Sequence, residues 1–76
     1  QKSAIILYPN PFTETLTINS SEEINQITIF DVLGKIVFEK RNVEDKSLSL
    51  KNLQCGNYTI KIISKNVVTT QKIIKE

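Results

Sequence analysis

The side chains able to act as acid, base or nucleophile are few and poorly placed for it. The chain has no His, no Trp and a single Cys, which removes imidazole and triad chemistry, His/Cys zinc sites and any internal disulfide. Carboxylates remain, chiefly Glu22-Glu23 and Glu44-Asp45. Neighbours in sequence project differently, whereas the paired carboxylates of glycoside chemistry face each other across a substrate at roughly 5 to 9.5 Å. Both pairs therefore read as solvated loop acids. No loop has the spaced acidic pattern from which calcium takes its oxygen ligands. Cys55 stands beside Gly56 with nothing near it in sequence to generate a thiolate, so it reads as a free thiol and a small filler. The expectation is a domain without catalysis, metal or cofactor.

The elements that position these residues are strands. Ile, Val and Thr make up 24 of 76 residues and Ala occurs once; β-branched side chains favour the pleated sheet over the helix. Seventy-six residues hold one small core. No Met is present, so the chain is expected to be a piece of a larger protein. Residues 1–4 read as a linker remnant and 5–76 as the domain. No apolar run approaches the roughly 20 residues that cross a bilayer as a helix.

Alternation sets the strands, because successive strand side chains point to opposite faces. Ile5 to Tyr8 is a short apolar run ended by Pro9-Asn10-Pro11, whose prolines lack amide donors and impose a bend. Thr15 to Ile18 and Gln26 to Asp31 alternate, separated by a polar turn. Asp31-Val32-Leu33-Gly34-Lys35 is a turn with Gly34 at positive φ, and Ile36 to Glu39 pairs back as a hairpin. Lys40 to Lys46 reads as a charged loop. Leu48 and Leu50 sit at strand spacing, Gly56 at positive φ or a close contact opens a strand over Asn57 to Ser64, Ser64-Lys65-Asn66 turns, and Val67 to Lys75 is the last strand. The sum is an all-β, immunoglobulin-like sandwich of about seven short antiparallel strands. Leu16, Ile18, Ile27, Ile29, Leu48, Leu50, Tyr58, Ile60 and Ile62 are its expected core.

Net charge is +2, with 5 Lys against Glu76 in residues 51–76. Nucleic-acid binding needs a dense basic patch with stacking aromatics, and no nucleic-acid partner is expected. A solvated strand face explains the lysines more simply.

Three segments in this order carry a resemblance: Tyr8-Pro9-Asn10-Pro11-Phe12; Ile29-Phe30-Asp31-Val32-Leu33-Gly34-Lys35-Ile36-Val37; and Leu53-Gln54-Cys55-Gly56-Asn57-Tyr58 leading to Lys72-Ile73-Ile74-Lys75. Over Ile5 to Glu76 the chain resembles the type A C-terminal sorting domain of the type IX (Por) secretion system of Bacteroidetes. Cys55 occupies a position that varies among small residues in that family, and Asn66 stands where the family often has Gly.

The resemblance implies an immunoglobulin-like domain that is an address and not an enzyme. It implies a cargo domain N-terminal to it in the parent chain and export through the periplasm to the cell surface or extracellular space. Its implied partners are the outer-membrane translocon, a shuttle and a cysteine sortase, which usually removes the domain, here upstream of Ile5. The family's recognition elements carry over to Pro9, Asn10, Pro11, Gly34, Gly56, Tyr58, Lys72, Ile73, Ile74 and Lys75. Each has a plainer reading as well: backbone angle for the glycines, interrupted pairing for the prolines. An alternating Ile/Lys strand is also a natural element to present to a partner groove. The competing functions are a non-catalytic fibronectin-like spacer or carbohydrate-binding module of an exported enzyme, and a subunit held in a surface assembly by strand exchange.

Overall fold

The computed structural model describes residues 5–20, 22–44, 46–65 and 67–76. Seven strands run in chain order: β1 (Ile5–Tyr8), β2 (Thr15–Ser20), β3 (Ile24–Phe30), β4 (Ile36–Val43), β5 (Ser47–Ser49), β6 (Gly56–Ser64) and β7 (Val67–Lys75), with no helix among the described residues. They form two antiparallel sheets, β1-β2-β5 and β4-β3-β6-β7. This is the expected small β-sandwich, and its strand order is immunoglobulin-like except that the fourth strand pairs with the third, where constant-type domains place it on the other sheet.

Period-two alternation explains the core. Leu16 and Ile18 of β2 face Ile27 and Ile29 of β3 and Ile60 and Ile62 of β6, while the residues between them turn to solvent or the sheet's outer face. All nine expected core side chains are buried. Phe12, Ile24, Val43 and Ile73 join them. Register locks the arrangement, with Ile27 opposite Ile62 and Ile29 opposite Ile60; a slip by one residue would turn the whole apolar set outward.

Three expectations need correction, and one turn is seen only in part. Lys40 to Val43 is strand and not loop, because Lys40 pairs with Ile27, Arg41 with Gln26 and Val43 with Ile24. Charged side chains obscure the alternation on this edge strand, where lysine also blunts pairing with other chains. β3 begins at Ile24, two residues early, since Ile24 is itself a core residue. In the β6–β7 turn Lys65 takes positive φ, at 50°; Asn66 and the linker at residues 1–4 lie outside the described residues. Cys55 is a free thiol as expected but is exposed, so it fills no space in the core.

Candidate functional site

The Pro-Asn-Pro segment moves the chain from one sheet to the other. β1 pairs with β2, and then Pro9 and Pro11, lacking N–H groups, end the pairing. Both bonds, Tyr8-Pro9 and Asn10-Pro11, are cis. Phe12 forms a parallel bridge to Lys75 in the opposite sheet. Between the prolines, the Asn10 side chain stands in for a strand backbone: its Nδ2 donates to the Lys72 carbonyl at 3.1 Å, and its Oδ1 accepts from the Ile74 N–H at 3.1 Å. The Phe12 N–H then donates to the Ile74 carbonyl at 2.9 Å, and the Glu76 N–H donates to the Phe12 carbonyl at 2.8 Å. The free edge of β7 from Lys72 onward is thus closed by residues that stand 62 and 64 positions earlier for the two Asn10 bonds.

Asp31 builds the β3–β4 turn. Its Oδ1 accepts from the Leu33 and Lys35 N–H groups, both at 2.9 Å. The Gly34 N–H donates to the Asp31 carbonyl at 3.0 Å and the Asp31 N–H to the Lys35 carbonyl at 2.9 Å. Gly34 sits at φ +84°, in the left-handed region, and beyond its own chain neighbours no heavy atom of the described residues lies within 4 Å of where a Cβ would stand. Its glycine identity therefore answers a backbone angle, not a close approach. Gly56 follows the same logic at φ +153°, again with open space around it.

Tyr58 is buried in the core, and its hydroxyl donates to the Gln54 carbonyl at 2.6 Å. That bond pins the turn leading into β6, as the tyrosine corner does near the start of the sixth strand in immunoglobulin-type sandwiches. The Gly-x-Tyr pattern is thus a fold device.

β7 divides its side chains by parity. Ile73 and Lys75 turn inward, with Lys75 only 8% exposed. Lys72 and Ile74 lie on the outer face of the four-stranded sheet, with Ile74 42% exposed. Lys75 therefore does not sit on an exposed rim beside Lys72.

One open groove of about 860 Å³ gathers these segments at a single end of the outer face. Asn10 comes from the bend, Asp31, Val32 and Gly34 from the turn, Asn57 from the start of β6, and Lys72 and Ile74 from β7. Cross-strand register brings them together: Phe30 is opposite Thr59, Thr59 opposite Lys72, and Asn57 opposite Ile74. Of the other sequence-derived candidates, Tyr58 lines this groove too, while Pro9, Pro11, Gly56, Ile73 and Lys75 do not.

The groove offers aliphatic surface, side-chain amides and one ammonium. The Asp31 carboxylate and the Asn10 amide are already engaged by backbone groups, so the arrangement suits non-covalent contact with another surface better than proton transfer. Among the described residues no cluster of three or more His, Cys, Asp or Glu is placed to hold a metal. Two participants escaped the sequence reading. Phe12 closes the β7 edge, and its position just after a proline bend is the signal available for that. Asp31 caps the turn, as the pattern Asp-x-x-Gly allows.

The family model for secretion system C-terminal sorting domains matches residues 6–76. No curated protein matches the chain.

Proposed function

The chain belongs to the type IX secretion C-terminal sorting domain family, and we propose from that premise that its folded outer face is the address by which an attached cargo is carried across the outer membrane. Members of this family are secretion signals and generally non-catalytic. The cargo precedes the domain, travels by way of the periplasm to the surface or the medium, and is freed by a sortase cutting upstream of Ile5. The partners in this reading are the translocon, the shuttle and the sortase.

One observation carries the proposal. Segments far apart in the chain, each of them part of the family resemblance, meet around one groove, and within it Lys72 and Ile74 hold exposed positions that the fold does not require. Pro9, Pro11, Gly56, Tyr58, Ile73 and Lys75 belong in this view to the scaffold. A carbohydrate-binding role finds less support, because Phe12 and Tyr58 are buried, Phe30 and Phe38 are half-buried, and Tyr8 at 49% is the one exposed aromatic among the described residues. Strand exchange through the C-terminal strand finds less support because its Lys72–Glu76 edge is already paired.

The test is a fusion of residues 1–76 to the C-terminus of a neutral periplasmic reporter in a type IX-competent host. Protease-accessible reporter on intact cells, lost in a translocon-deficient strain, is the expected result. Retention in the periplasm with the domain folded would overturn the proposal.

A further inference from the structure

The β3–β4 turn carries the most exposed large apolar side chains among the described residues, Val32 at 76% and Leu33 at 89%. Resting on the sorting reading above, we propose that this turn is a preformed apolar knob that enters an apolar socket on a folded protein of the export machinery. The family resemblance singled out the glycine here, but the geometry assigns Gly34 and Asp31 to holding the turn and Val32 and Leu33 to being what it displays.

Four hydrogen bonds fix five residues in this turn, two of them to one carboxylate oxygen. A fold that needed only a connection between β3 and β4 would gain nothing from aliphatic side chains at its tip, where polar turn residues are the usual choice. Water exposure of both costs the free domain a favourable burial that a partner can supply. Rigidity adds to this, because a knob already held in shape loses little conformational freedom on docking. Val32 also borders the groove that holds Lys72 and Ile74, so one partner surface can meet the knob and the groove together.

Charge and size narrow the occupant. Asp31 is half-buried and turns one carboxylate oxygen onto its own turn's N–H groups, while Lys35 and Lys72 are exposed, so two outward cations outnumber one carboxylate here; a complementary socket has an acidic rim. A bilayer fits worse. Val32 and Leu33 together bring less hydrocarbon than one myristoyl chain, which alone gives only marginal, reversible attachment, and no Trp or Tyr accompanies them in the turn. A rigid shape also has no purpose against a fluid surface.

The experiment uses the reporter fusion with the full chain. The variant Val32→Ser/Leu33→Ser should keep the thermal midpoint of the parent, since both side chains are already in water, and should lower surface display by about tenfold or more. Val32→Ile/Leu33→Met should retain display, because the socket reads apolar volume. Since a neutral reporter replaces the native cargo, dependence on these residues cannot come from docking onto that cargo. Normal display of the serine variant beside normal display of the parent fusion would overturn the knob and leave the sorting function standing. Absence of display for the parent fusion itself would overturn both. Sedimentation of the domain with phosphatidylcholine/phosphatidylglycerol vesicles, abolished by the serine variant, would reassign the knob to a membrane and overturn the protein socket.

Discussion

Asn10 does with a side chain what Pro9 and Pro11 cannot do with a backbone. Its amide supplies both a donor and an acceptor to the β7 edge, so Asn10→Ala hands the Lys72 carbonyl and the Ile74 N–H to water, both bonds being exposed. The expected loss is the net worth of exposed hydrogen bonds, about 1 kcal/mol, measured as a lowered urea midpoint, with faster amide exchange at Ile74. Gly34→Ala tests a different cause. No neighbouring atom would touch the new methyl, so the cost should be that of the left-handed backbone alone, about 1–2 kcal/mol. Ser64→Ala should go the other way: the buried Ser64 Oγ has no hydrogen-bond partner among the described residues, and removing it should leave stability unchanged or raise it by about 1 kcal/mol. The positive φ values of Gly34 and Gly56 were legible in the sequence, because a glycine that interrupts strand alternation marks a backbone angle that side chains disfavour. Asn10 was legible as a bend and not as a bridge. Its partners lie in β7, and no local pattern announces a contact over that distance.

At the scale of the element, β7 has three surfaces with three duties. Its inward side chains complete the core, its edge is closed by Asn10 and Phe12, and its outer face carries Lys72 and Ile74. Deleting Lys72 to Glu76 would therefore remove the fully buried Ile73 along with every β7 group that Asn10 and Phe12 contact. We expect such a deletion to abolish the cooperative unfolding transition, so lost export in that variant would report unfolding and not recognition. The two lysines should separate. Lys72→Gln changes an exposed side chain and should alter stability by less than about 0.5 kcal/mol. Lys75→Gln disturbs a stem packed to 8% exposure and should cost about 1 kcal/mol in a denaturation midpoint. Alternation showed that Ile73 and Ile74 face opposite ways, but it could not show which face met the core near Lys75. β4 was the least legible strand, since Glu39, Lys40 and Arg41 hide a pairing that is set by β3 and not by their own preferences.

At the scale of the molecule, the core is the part most plainly written in the sequence, because a period-two pattern in Ile and Leu admits few registers. Ile60, fully buried and opposite Ile29, is a sensitive probe of it. Ile60→Ala should cost about 2–5 kcal/mol, against a total that for so small a domain lies near the bottom of the usual range of about 5–15 kcal/mol, so circular dichroism should find that variant largely unfolded at 37 °C. The groove was not legible, since it exists only once both sheets are formed and the chain has crossed between them. The central claim is that the address is the folded outer face and not a linear peptide. The variant Lys72→Gln/Ile74→Ser tests it most directly, because it alters two exposed groove residues while leaving the core and the Asn10 and Phe12 backbone bonds in place. With its melting transition retained, the reporter fusion should stay in the periplasm; surface display at the parent level would contradict the account.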